Sequence, residues 1–115
     1  MNIAIVGSRS CSSYDLVENT MARFFDLGMI DVIVSGGARG ADALGKKYAT
    51  EHGIEYQEFP ADWERFGKSA GFERNKYIVT AADVVVAFWD GKSKGTEHTL
   101  EIAKKQKKPT IVEFF

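Results

Sequence analysis

The sequence predicts an α/β fold, a parallel β-sheet between two layers of helices, and three observations carry that prediction. Short runs rich in Val, Ile and Phe alternate with longer segments of helical spacing. The strongest of these runs are continuously apolar, as strands covered on both faces must be. Glycines gather directly after several of the runs, where strands would give way to loops. A length of 115 residues, 44% of them hydrophobic and 27% charged, fits one globular domain spanning 1–115.

The strand candidates are Ile3 to Val6, Val32 to Val34, Glu55 to Phe59, Val84 to Phe88 and Thr110 to Phe114. The third is the most polar and belongs at an edge. Four helical segments lie between them. Tyr14 to Leu27 carries Val17, Met21, Phe24 and Phe25 on one face, with Ser12 and Asp15 spaced as a capping box and Gly28 as a stop. Ala41 to His52 buries Leu44 and Tyr48 and ends at Gly53, and Ser69 to Ala82 forms the third. Thr96 to Gln106 is the fourth, with Leu100 and Ala103 on one face and Pro109 beyond its end. Right-handed crossovers between strands in this alternation give a Rossmann-like three-layer sandwich, five-stranded, with strand order 3-2-1-4-5. Pro60 to Lys68 is the one long stretch with no helical spacing; with Trp63 and Phe66 in it, it reads as a loop that covers a ligand.

The formal net charge of -1 gives no general attraction to polyanions, which argues against nucleic acid as a partner. The charge is uneven, because residues 26–64 hold eight acids and three bases while residues 90–108 hold six lysines and three acids. Lys104, Lys105, Lys107 and Lys108 read as a solvated helix end whose charges favour the C-terminal dipole. Cys11, the single cysteine, has no partner for a disulfide or a CxxC motif. The longest apolar stretch, Val84 to Trp89, is too short for a bilayer, and no basic region or cleavage site precedes the first strand. A cytoplasmic protein without membrane contact is the expectation.

Ligands of open parallel sheets bind beyond the carboxyl ends of the strands, where the strand order reverses. Three such ends carry glycine: Gly7-Ser8-Arg9, Gly36-Gly37-Ala38-Arg39-Gly40-Ala41-Asp42, and Asp90-Gly91-Lys92-Ser93-Lys94-Gly95-Thr96-Glu97. In the predicted order these loops surround one crevice. The second and third run straight into helices, so free N–H groups and positive helix ends face the crevice and suit a phosphate. Arg9 and Arg39 add planar donors and Thr96 a hydroxyl. Asp42 is alternatively a helix cap, and the glycines alternatively tight turns.

Two nucleotide signatures are absent. Arginine and serine stand where a GxGxxG fingerprint after the first strand needs its second and third glycines. Gly67-Lys68-Ser69 and Gly91-Lys92-Ser93 lack the leading glycine of a P-loop, with Asp62 and Val86 in its place. Arg74 and Asn75, early in the third helix, are candidates to hold a phosphate or ribose, with a surface ion pair to Glu73, Glu64 or Asp62 as the alternative for Arg74. Trp63 either stacks on a base or anchors its loop. His52 suits a helix end, His98 is a candidate acid-base group, and Cys11 lacks a paired base. Nothing has metal-ligand spacing, and no cofactor is implied.

These loops resemble the SLOG superfamily, which joins the Smf/DprA proteins to the LOG-type phosphoribohydrolases, and most closely its small single-domain YspA/YpsA-related branch. The resemblance covers nearly the whole chain and rests on the Gly36–Asp42 loop, the Arg74-Asn75 helix start and the Asp90–Thr96 loop. It implies a Rossmann-like fold that binds nucleotides or nucleotide-derived ligands, commonly as a homo-oligomer. LOG enzymes cleave the N-glycosidic bond of nucleoside 5'-monophosphates with an arginine, which Arg74 matches, and glutamates in a PGGxGTxxE pattern. In this chain Asp90-Gly91 replaces the prolyl-glycyl start, and no glutamate stands where the pattern has its first, the residues there being His98 and Thr99. Glu97 comes early and Glu101 late, so Arg74 with Glu97 is the candidate catalytic pair, with Asp42 as the other candidate carboxylate.

The sequence therefore predicts a module that holds a phosphorylated nucleotide or ADP-ribose-like ligand, as a sensor or sequestering protein. Its ligand-binding candidates are Gly7, Ser8, Arg9, Gly36, Gly37, Ala38, Arg39, Gly40, Asp42, Trp63, Arg74, Asn75, Asp90, Gly91, Ser93, Gly95 and Thr96. Cleavage of nucleoside monophosphates is one alternative. Single-stranded DNA handling, by analogy with the Smf/DprA branch, is the other.

Overall fold

In the computed structural model, which describes residues 1–115, every strand pairing is parallel. The strands are β1 (Asn2–Gly7), β2 (Val32–Ser35), β3 (Glu55–Glu58), β4 (Val84–Trp89) and β5 (Thr110–Phe114), in the order β3-β2-β1-β4-β5. This is the predicted Rossmann-like sheet and order. The helices are α1 (Tyr14–Phe24), α2 (Ala41–Glu51), α3 (Trp63–Phe66), α4 (Ala70–Ala81) and α5 (Lys94–Lys105).

Alternation along β1 and β4 divides the core into two layers. Ile3, Ile5, Val86 and Phe88 face α1 and α2, where Val17, Met21 and Tyr48 complete the cluster. Ala4, Val6, Val85 and Ala87 face the other way, onto Ile78 and Val79 of α4 and Ile102 and Ala103 of α5. The central strands are thus covered on both sides, the condition that makes them apolar throughout. β3 reads exposed, half-buried, exposed, exposed and lies at the edge. Gly7 pairs with Phe88 across β1 and β4, so these two strands end level, beneath the loops that follow them.

Several boundaries differ from the sequence expectation. α1 stops at Phe24 rather than Leu27, because Phe25 turns extended while its N–H still bonds to Met21. Phe24 is consequently exposed and contributes nothing to the core. The cap of α1 is Ser13, not Ser12: its Oγ accepts from the Leu16 N–H at 3.2 Å. Pro60 to Lys68 is not without helix, since Asp62 accepts from the Arg65 N–H and caps the single turn of α3. α5 begins two residues before Thr96, at Lys94. No helix is long and apolar enough to cross a membrane.

Candidate functional site

The level ends of β1 and β4 fix the floor of a crevice of about 610 Å³. Twelve of the candidate ligand residues line it. Gly7 and Arg9 come from the β1 end; Ala38, Arg39 and Asp42 from the β2–α2 loop and the first turn of α2; and Trp63 from α3. Arg74 and Asn75 come from α4, and Asp90, Ser93, Gly95 and Thr96 from the β4–α5 connection. The three loops do open to one place.

Ser8, Gly36, Gly37, Gly40 and Gly91 do not line the crevice; Ser8, Gly36 and Gly40 shape it from behind. Ser8 is buried. Its Oγ accepts from the Asp90 N–H at 3.0 Å and its carbonyl from the N–H groups of Cys11 and Ala41, so it ties all three strand ends together. Gly40 sits at φ +79°, where a Cβ would meet the backbone of Ser8 and Arg9 at 2.5 Å, so only glycine lets the α2 start come down on the β1 loop. Gly36 leaves room for Arg74, whose Nη1 donates to the Gly36 carbonyl at 2.8 Å. Gly91 is exposed.

Arg74 forms no ion pair with Glu73, Glu64 or Asp62; Glu73 pairs with Lys76 instead. Its Nε donates to Asn75 Oδ1 at 3.1 Å, and the Asn75 amide points on to the Gly95 carbonyl at 3.5 Å and His98 Nδ1 at 3.4 Å. This chain of contacts braces the β2–α2 loop against the start of α5. It leaves the second terminal nitrogen of Arg74 with no protein acceptor.

The glycine loops keep only part of their N–H groups free. Each carries its own anion. Asp42 Oδ2 accepts from the Ala38 N–H at 3.2 Å, and the Ala41 N–H is taken by the Ser8 carbonyl. Asp90 Oδ1 accepts from the Lys92 and Ser93 N–H groups, both at 2.8 Å. The backbone N–H of Lys92, then that of Ser93, holds the Asp90 carboxyl below its usual range. Burial has the opposite effect on Asp42, pushing its carboxyl up to about 6, against the pull of the Ala38 N–H and the Arg74 charge. At α5 the N–H groups of Gly95 and Thr96 have no acceptor and both residues line the crevice; in the β2–α2 loop and the first turn of α2 the N–H groups of Arg39, Gly40 and Asp42 have none either.

Glu97 is exposed and is not brought to the crevice. Counted from Gly95-Thr96 the glutamate position of the pattern is Thr99, which does line the crevice, and two residues' displacement along a helix turns Glu97 by about 200°, to the outer face. His98 lies behind the wall, its ring edge-on to Phe72 with centroids 4.5 Å apart. The sequence reading missed Phe72 and Lys68, which both line the crevice. For Phe72 the signal was available, since it precedes Asn75 by three on α4; Lys68 lies in the short turn before that helix. Trp63 and Phe72 are 62% and 49% exposed, so neither is a core anchor.

Fold and crevice together define a SLOG-type Rossmann-like domain. The chain belongs to the YspA, cpYpsA-related SLOG family, whose family model matches residues 1–66. Gene 61 protein of Mycobacterium phage D29 is 43% identical over 88 residues, covering 70% of this chain and 69% of the phage protein. In structure the chain is similar to DNA processing protein A (DprA) from Streptococcus pneumoniae, with a TM-score of 0.79 at 22% identity over 96% of this chain. It is also similar to DprA from Helicobacter pylori, with a TM-score of 0.66 at 24% identity over 97% of this chain. It spans 49% of the length of the first and 64% of the second.

The Helicobacter pylori protein is described by its single-stranded DNA binding mode, and this corrects the exclusion of nucleic acid drawn from net charge. The physical reason lies in where the charges are. The crevice wall carries Arg9, Arg39, Lys68 and Arg74 against Asp42 and Asp90, so it is locally basic in a chain whose total is -1.

Proposed function

We propose that this crevice binds a nucleotide by its phosphate, in a free phosphorylated nucleotide or an ADP-ribose-like ligand, as a sensor or sequestering module. The observation that carries this reading is the convergence of unclaimed donors on one concave site. The Gly95 and Thr96 N–H groups, the free nitrogen of Arg74 and the side chains of Arg9, Arg39 and Lys68 share a crevice whose size suits a nucleotide. Trp63 and Phe72 offer exposed aromatic faces for a base. Calorimetric titration with AMP and ADP-ribose tests it: binding that weakens about tenfold or more in Arg74→Met supports the reading. Absence of binding by either ligand refutes it.

Single-stranded DNA is the second reading, and it is the one the comparisons favour. Exposed aromatics beside cationic side chains are the components of a single-strand site, in which bases stack and phosphates meet the cations. Anisotropy of a labelled oligonucleotide separates the two readings. A strand binding more tightly than AMP, with an affinity that falls steeply with salt, favours the strand.

A further inference from the structure

We infer that Asp42 reads the sugar of the bound nucleotide, accepting a hydrogen bond from a ribose hydroxyl and so favouring ribonucleotides over their deoxy counterparts. This rests on the nucleotide reading of the crevice and deepens it. Asp42 is 6% exposed, yet lines the crevice. Its Oδ2 accepts from the Ala38 N–H, and no salt bridge engages the carboxylate. An ionised carboxylate has about four acceptor positions, so capacity remains toward the ligand space.

A phosphate is repelled by such a group, whereas a hydroxyl is attracted. The N–H groups of Gly95 and Thr96 at the start of α5 are unclaimed; those of Arg39, Gly40 and Asp42 are unclaimed too, but they lie in the loop and helix turn that carry the Asp42 carboxylate, which already holds the Ala38 N–H. The phosphate therefore belongs at the α5 side, where the carboxylate in the loop, Asp90, has its charge met by the Lys92 and Ser93 N–H groups. The sugar, bonded directly to it, then faces α2, and the base beyond reaches the exposed rings of Trp63 and Phe72. A carboxylate accepting from ribose hydroxyls is a known solution in dinucleotide-binding folds. An Asp42 that only fastened the loop would hold the Ala38 N–H and be indifferent to the sugar.

The test uses the dinucleotides ApA and dApdA, whose phosphodiester keeps one charge across the pH range used, with sulfate as a probe that has no donor. Calorimetry on the wild-type chain at pH 7.5 is expected to show ApA bound about 10- to 100-fold more tightly than dApdA. In Asp42→Asn that ratio falls at least about fivefold, because a neutral acceptor bonds more weakly, and sulfate binds more tightly because a like charge is gone. Equal affinities in the wild type, or a ratio unchanged in Asp42→Asn, overturn the inference alone. Failure of both dinucleotides and sulfate to bind overturns the nucleotide reading with it.

If Asp42→Asn does not fold, the wild-type ratio at pH 5 replaces it. The Asp42 carboxyl titrates at about 6, so the charged acceptor is lost at pH 5 and the ratio must shrink. Arg74 and Glu58 are its charged neighbours, with Arg9, Arg39, Lys68 and Asp90 on the crevice wall. Their effects are common to both dinucleotides and cancel in the ratio. A ratio that holds from pH 7.5 to 5 overturns the inference.

Discussion

Replacing Asp42 by Asn is expected to stabilise the unliganded protein at neutral pH and to leave its stability in acid unchanged. Burial raises this carboxyl from 3.8 to about 6 in the folded chain. At about 1.4 kcal/mol per tenfold, that difference is a penalty on the order of 3 kcal/mol for keeping the carboxylate charged. The sign follows from proton uptake. Between the two values the folded chain binds more protons than the unfolded one, so stability falls as pH rises from about 4 to about 6 and then stays level. Asn keeps an oxygen for the Ala38 N–H and has no charge to desolvate. The gain should be about 1–3 kcal/mol at pH 7.5 and should vanish by about pH 4. Urea denaturation of both proteins at intervals from pH 4 to 8 measures it. A variant less stable than the wild type at pH 7.5, or a gain independent of pH, would show that Asp42 is not held in the environment described.

Gly40→Ala combines a left-handed backbone with a clash against the backbone of Ser8 and Arg9, so urea midpoints should report a loss of at least about 1–3 kcal/mol. Arg74→Met orphans the buried Gly36 carbonyl and should cost about 1–3 kcal/mol in the same assay, in addition to its effect on AMP binding. Ser8→Ala removes the acceptor for the Asp90 N–H, with an expected loss of about 1 kcal/mol. Because Ser8 lies behind the crevice, AMP affinity in that variant should change less than in Arg74→Met, and calorimetry decides the order.

The sheet was legible in the sequence because central parallel strands have to be apolar on both faces, and β1 and β4 state that condition openly. The glycine-rich loops announced where those strands end. The division of labour among the glycines was not legible. Whether a glycine meets ligand or makes room for Arg74, as Gly36 does, depends on an α4 that arrives 38 residues later. The place of Ser8 behind the crevice was hidden for the same reason, since its partners Asp90 and Ala41 come from two other strand ends.

The carboxylates resident in the loops were harder to foresee than their spacing suggests. Asp42 folds back on Ala38 four residues away, and Asp90 on Lys92 and Ser93, contacts that are local in sequence. An aspartate closing on nearby backbone N–H groups is a common turn device. It competes directly with the free-donor reading of a glycine loop, and only the structure shows that it wins at Ala38 and leaves Gly95 and Thr96 open. Net charge misled because it sums over the molecule, whereas a ligand meets the crevice, where Arg9, Arg39, Lys68 and Arg74 outnumber the acids.

The central claim, that a nucleotide phosphate sits at the start of α5, is tested most directly by following backbone amide resonances while AMP or a short single strand is added. A phosphate held there predicts saturable shifts largest at Gly95 and Thr96, with smaller ones at Ala38 and Arg39 across the crevice. Shifts confined to the lysines at the far end of α5, or none with either ligand, would contradict it.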